Sequence, residues 1–184
     1  MTTVSSAASA VLDLLLPRRC ATCPGRGGPL CPDCTEDFVG AFFRAGPVRV
    51  RPSPAPPGLP PVHAAGAYAA ALAAAIAAYK DAGRRDLRPV LALPLAAAVA
   101  AATAEAGAEG ALLVPAPTSR GARRARGDSP VTDLARAAGR LLGLETCALL
   151  RVRRPVADQA GLGADQRRTN LEGSMALRPG RPCG

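Results

Sequence analysis

Apolar residues Val11, Leu12, Leu15 and Leu16 share one face of a short helix expected over residues 4–16, with Ser5 or Ser6 as its cap and Pro17 as its stop. A cysteine-rich segment follows, and Phe38, Phe42 and Phe43 form an apolar patch expected to pack against it. Residues 51–61, RPSPAPPGLPP, are too rich in proline for a helix or a central strand, so they are expected to be a linker or extended connector. This reading divides the chain into residues 1–50 and residues 62–184. Past the linker, Tyr68, Leu72, Ile76 and Tyr79 recur at helical spacing and predict a helix ending at Asp81-Ala82-Gly83. Residues 87–106 predict a second helix, kinked or restarted at Pro94, because an internal proline removes a hydrogen bond and crowds the preceding turn.

The pattern then changes. Ala111-Leu112-Leu113-Val114-Pro115 is a short continuous apolar run, as expected of a strand covered on both faces. After a polar loop, Asp128 or Ser129 caps a helix with Pro130 at its first position. Val131, Leu134, Ala135, Ala138, Leu141 and Leu142 keep the helical period to Gly143. Residues 147–152 predict a second strand. Strand, loop, helix and strand in this order predict a βαβ unit, hence an α/β fold with a parallel sheet in residues 62–184.

Composition refines this picture. The 184 residues carry 23 Lys+Arg against 14 Asp+Glu, and 48% are hydrophobic, which is the balance of a chain that folds. Its length excludes two large domains. Only 3% is aromatic and tryptophan is absent, so the core must be built from Ala, Leu and Val. Lys80 is the only lysine. Residues 111–184 hold 13 arginines and 6 acids, so the C-terminal part is the one expected to face anions. Residues 62–79 are long and uncharged enough to raise the question of a membrane span, but they are mostly alanine, which gains little from lipid. The expectation is a soluble cytoplasmic protein without a span.

Two motifs carry chemistry. Cys20-x2-Cys23 and Cys31-x2-Cys34 offer four soft ligands in two tight turns, the pattern of a structural zinc site in which protein fills all four positions. Without a secretory signal, disulfides among them are not expected. Cys147 and Cys183 stand singly and are expected to be inert. The second motif is the loop TSRGARRARGDS, with Arg120, Arg123, Arg124, Arg126 and Gly127. A loop leaving the carboxyl end of a parallel strand for a helix N-terminus is where α/β sheets bind anions. Nucleic acid is the other anion to weigh. All five aromatics precede residue 80, so the basic part has no stacking surface for bases, and DNA contacts there would run through the backbone and be salt-sensitive.

Taken in order, these pieces resemble a known family. A four-cysteine knuckle precedes Tyr79-Lys80 and Gly83-Arg84-Arg85-Asp86-Leu87. Val114-Pro115-Ala116-Pro117 with Arg120-x2-Arg123-x2-Arg126-Gly127 comes next, and then Gln159-x2-Leu162-x4-Arg167-x2-Asn170. Together they look like the ComF family, and the likeness covers nearly all of residues 10–178. It implies a zinc knuckle followed by a type I phosphoribosyltransferase-like domain, with a name linked to competence and DNA uptake. It also implies an arginine loop that handles pyrophosphate, a mobile segment over the site at residues 159–170, and magnesium accompanying phosphoribosyl pyrophosphate. DNA, or proteins of DNA uptake, are the implied macromolecular partners.

One part of the pattern is absent. Such enzymes hold phosphoribosyl pyrophosphate on an apolar strand ending in two acidic residues, followed by a Thr/Gly-rich loop. Only 14 residues follow Asn170, ending MALRPGRPCG, so the domain is expected to be C-terminally incomplete and inactive in transfer as written. The alternative expectation is a non-enzymatic, zinc-stabilised module that binds protein or DNA.

Overall fold

The structure is a computed structural model that describes residues 19–53, 55–118, 129–157, 159 and 161–180. The expected first helix at residues 4–16 lies outside them. The chain is a mixture of helices and small sheets that separates into two compact units, Met1–Pro94 and Leu95–Gly184.

In the first unit, α1 (Pro32–Ala45) starts directly on the cysteine segment, with Cys31 as its cap and proline at its first position. Two three-residue strands, β1 (Val48–Val50) and β2 (Val62–Ala64), pair antiparallel, Arg49 standing opposite His63. The proline-rich stretch expected to divide the chain is therefore the connection within a hairpin. It turns tightly at Pro56, whose carbonyl accepts the amide of Leu59 at 3.2 Å. The hairpin escapes the hydrophobic pattern because VRV and VHA are too short to establish alternation. Helix α2 (Ala70–Lys80) follows the expected stripe and packs on α1, burying Ala75 and Tyr79. Tyr68 stands outside it and is exposed. A 3-10 turn (Arg85–Leu87) then buries Leu87 completely.

Helix α3 (Arg88–Ala106) continues through Pro94, so the helix is not restarted there. Losing one donor costs one hydrogen bond, and the surrounding alanines and leucines keep the rest of the ladder. The helical run Arg85–Ala106 is long and apolar enough to cross a membrane by length and composition alone, and 33% of its most apolar window is buried within the protein.

In the second unit, α4 (Pro130–Leu142) is the most amphipathic helix, burying Ala135, Ala138 and Gly139. It connects the apolar run at residues 111–115 to the segment after Gly143, and the two pair parallel at Leu113 and Thr146. The Leu113 amide donates to the Glu145 carbonyl at 2.9 Å, and the Cys147 amide to the Leu113 carbonyl at 2.8 Å. Gly139 makes this approach feasible, because a Cβ there would lie 2.8 Å from the Leu144 carbonyl oxygen and 2.7 Å from the Thr146 hydroxyl. Among the described residues this bridge is the extent of parallel pairing, and the two sheets are antiparallel pairs. The ladder stops for a chemical reason: Pro115 and Pro117 have no N–H to extend it, and a local bond from the Leu149 amide to the Cys147 carbonyl breaks the partner segment.

The strand expected over residues 147–152 is thus shorter, β3 (Leu150–Val152). It pairs antiparallel with β4 (Met175–Leu177) around α5 (Ala164–Leu171). Cys147, expected as a single thiol, is fully buried and disulfide-bonded.

Candidate metal centre

The four cysteines of the paired motifs converge. Their sulfurs all lie within 4.8 Å of one another, and Cys23 Sγ sits 3.6 Å from Cys31 Sγ. A tetrahedral metal bound at about 2.3 Å needs its sulfurs about 3.8 Å apart, so the cluster could hold a metal ion with little rearrangement. Cys20 and Cys31 are buried, and Cys23 and Cys34 are half-buried.

Short-range bonding builds this arrangement. The Cys20 amide donates to the Gly25 carbonyl at 2.9 Å and the Ala21 amide to the Pro29 carbonyl at 3.0 Å, folding the segment into two facing turns. Arg19 and Arg26 pair across its entrance. The Gly25 amide points at Cys23 Sγ at 3.3 Å, and a side chain at Gly25 would come within 3.1 Å of that sulfur. Cys31 caps α1 and Cys34 stands in its first turn, where the helix dipole favours negative sulfur.

Electrostatics separates the thiols. Burial opposes charge on Cys20, but the hydroxyl and amide of Thr22 and the amides of Cys31 and Cys23 outweigh it, drawing the thiol down to about 5. The Thr22 hydroxyl lies 3.3 Å from Cys20 Sγ and the Cys31 amide at the same distance. At Cys34, bonding from Thr22 favours the thiolate, yet the neighbouring Cys31 and Cys23 sulfurs and burial push it up to about 12. Cys23 is also raised: the Gly25 amide and Cys34 favour its charged form, but Cys31, burial and Cys20 together prevail. Without a cation, the neighbouring sulfurs keep Cys23 and Cys34 protonated. A divalent ion reverses that preference by supplying charge at the centre of the four sulfurs.

Two contributors were given no role at the cluster from sequence. Thr22 lies inside the first Cys-x2-Cys turn, and its short hydroxyl side chain was the available signal. Arg84 is the other. Its guanidinium clasps Asp86 with two short bonds, 2.9 Å from Nε to Oδ1 and 2.7 Å from Nη2 to Oδ2. That pairing holds Arg84 above its usual range against the cost of burial, and charge on Cys20 acts in the same direction. Arg85 donates to the Tyr79 carbonyl and lies over the Tyr79 ring, 5.0 Å from its centroid. The Gly83-Arg84-Arg85-Asp86 segment thus ties the end of α2 to the following turn.

The other expected site lies outside the described residues: Arg120, Arg123, Arg124, Arg126 and Gly127 all belong to residues 119–128. Of the segment at 159–170, Asn170 clamps the backbone of Ala157 by donating to its carbonyl at 3.0 Å and accepting its amide at 3.1 Å. Arg154 closes the same excursion by donating to the carbonyls of Thr169, Asn170 and Glu172. Comparison with protein-family models, with curated proteins and with solved structures finds no match to the chain.

Proposed function

We propose that this chain is a ComF-like, phosphoribosyltransferase-fold protein whose N-terminal knuckle holds a structural zinc ion. The sulfur cluster supports the zinc reading: four cysteines fill every position of a tetrahedral centre, and all-thiolate sites select zinc where the role is structural. The observation that carries the wider reading is the parallel bridge between Leu113 and Thr146, reached through the arginine loop and then α4. That order of strand, basic loop, helix and parallel strand is the connectivity such a domain uses at its phosphate end. The ligand would be phosphoribosyl pyrophosphate with magnesium. These 184 residues hold no acidic pair followed by a Thr/Gly loop, so on their own they would bind weakly and not transfer.

Titration of the zinc-loaded chain with magnesium and phosphoribosyl pyrophosphate tests this reading. Saturable binding that is lost in Arg123→Ala/Arg126→Ala supports it. Absence of binding to a chain extended to include an acidic-pair strand rejects it.

A second reading, a zinc-stabilised module for DNA or a protein of DNA uptake, is favoured by one observation. Arg151, Arg153 and Arg167 are exposed around the β3–β4 excursion. Salt-sensitive DNA binding in place of phosphoribosyl pyrophosphate binding would select it.

A further inference from the structure

The four sulfurs of the cluster lie together but do not share the same surroundings. Cys20 Sγ is buried and engaged twice, with the Thr22 hydroxyl and the Cys31 amide each at 3.3 Å. Cys23 Sγ is half-buried, and Cys31 Sγ, eight positions further along the chain, touches it at 3.6 Å. A disulfide requires two sulfurs to close to about 2.05 Å, so this pair stands about 1.5 Å from a bond. The connector beside the pair is Gly25-Arg26-Gly27-Gly28, whose one side chain, that of Arg26, is exposed. A Cβ at Gly25 would stand 3.1 Å from Cys23 Sγ and 3.8 Å from Cys31 Sγ, and one at Gly27 would stand 3.7 Å from the Cys31 Cα. Glycine at both positions leaves that side of the sulfur pair without cover, and a small oxidant can reach it.

The competing pairs are less favoured. A Cys20–Cys23 bond would draw Cys20 away from Thr22 and the Cys31 amide, and a Cys31–Cys34 bond would have to form inside the first turn of α1.

We infer that Cys23 and Cys31 form an oxidation site, at which a hydroperoxide links the two zinc-binding motifs by a disulfide and empties the metal centre. The Cys23 thiolate attacks one peroxide oxygen, the O–O bond breaks, and Cys23 becomes a sulfenic acid as hydroxide leaves. The Cys31 thiolate then attacks the Cys23 sulfur, forming the S–S bond and expelling the second hydroxide. Two electrons pass from the sulfurs to the peroxide, and two protons from solvent convert both hydroxides to water. Cys20 and Cys34 remain, two ligands where a structural zinc site needs four, so the ion is lost. A dithiol reductant reverses the bond and restores the site. The inference rests on the zinc reading for the ion that leaves, and on the sulfur geometry for the bond that forms.

Treating the full, zinc-loaded chain with hydrogen peroxide tests it, with zinc content measured beforehand and released zinc followed by a chromophoric chelator. Remaining thiols are alkylated before digestion. Trypsin cuts after Arg19, Arg26 and Arg44, which places Cys20 and Cys23 in one fragment and Cys31 and Cys34 in the next. The Cys147 disulfide falls in another fragment and does not enter the reading. The two cysteine fragments should become joined through Cys23 and Cys31, with Cys20 and Cys34 alkylated, in step with near-complete loss of zinc. Dithiothreitol and added zinc should restore the starting state. A bond confined to either Cys-x2-Cys motif overturns the inference, and so does zinc loss that precedes any disulfide. Zinc and all four thiols retained in a large excess of peroxide overturn it as well. A chain that takes up no zinc yet joins Cys23 to Cys31 rejects the zinc reading and keeps the oxidation site. A chain that holds zinc but joins other sulfurs does the reverse.

Discussion

The backbone amide of Cys31 donates to Sγ of Cys20 at 3.3 Å, so the residue that caps α1 is both a ligand of the cluster and a support for the opposite sulfur. A metal held there would share Cys31 with the start of the helix. The pair stand eleven positions apart, and the Cys20–Gly25 and Ala21–Pro29 backbone bonds fold the segment between them.

Removing the metal should therefore unfold more than a loop. Chelation, or Cys34→Ser, is expected to destabilise the first unit by about 3 kcal/mol or more. Hydrogen exchange should show lost protection concentrated in residues 19–45. Unchanged protection after complete metal removal would mean that α1 stands without the knuckle.

Affinity for that metal should depend steeply on pH. Cys23 and Cys34 are held above the ordinary thiol range, so both carry protons near pH 7 and must release them on binding. These two protons alone make affinity rise at least about a hundredfold per pH unit between about pH 6 and 8 and fall as the solution is acidified. Cys20, drawn down to about 5, is already ionised there and adds nothing to the slope. Competition with a chromophoric chelator at three pH values measures it, and a slope below tenfold per unit would contradict the assignment.

Gly139→Ala should be costly although alanine is the better helix former. The added Cβ would meet the Leu144 carbonyl oxygen at 2.8 Å, and backbone cannot step aside as a flexible side chain can. Denaturant unfolding is expected to show a loss of about 1–3 kcal/mol. The same substitution at Gly163, where the nearest neighbour is 3.7 Å away, is the control for a harmless change.

Arg154→Ala should act locally. The side chain is exposed but donates to three carbonyls at the end of α5, and the Asn170 clamp on Ala157 holds the same excursion. Global stability is expected to fall by about 1 kcal/mol or less. Amide exchange across residues 155–173 should accelerate well beyond that of β3 and β4. Uniform acceleration would show that the excursion and its strands open together.

Several elements were legible from residue pattern because they depend on neighbours in sequence. Helix α4 is set by Pro130 at its start, by the apolar spacing from Val131 to Leu142, and by the glycine after it. The ligand set Cys20, Cys23, Cys31 and Cys34 is legible for the same reason, since each Cys-x2-Cys turn aims two sulfurs together. The β1–β2 hairpin was not legible, because three-residue strands carry no periodic signal and the proline run between them reads as a linker. The strand expected over residues 147–152 came out shorter, because a turn at residues 147–149 depends on a single local hydrogen bond.

By itself, then, the amino-acid sequence determined the four-sulfur cluster, the helices at residues 70–80 and 130–142, and the basic bias of the C-terminal part, all through local spacing and charge. Only the tertiary structure decided that Leu113 pairs parallel with Thr146 and that Gly139 admits this contact. It alone brought the Ser129 hydroxyl to Thr118 and set Arg136 and Arg178 in the lining of one cavity. These are encounters between residues far apart in the chain, and their outcome depends on which surfaces close first-turn amides, backbone edges and apolar faces together, a balance that no local pattern encodes.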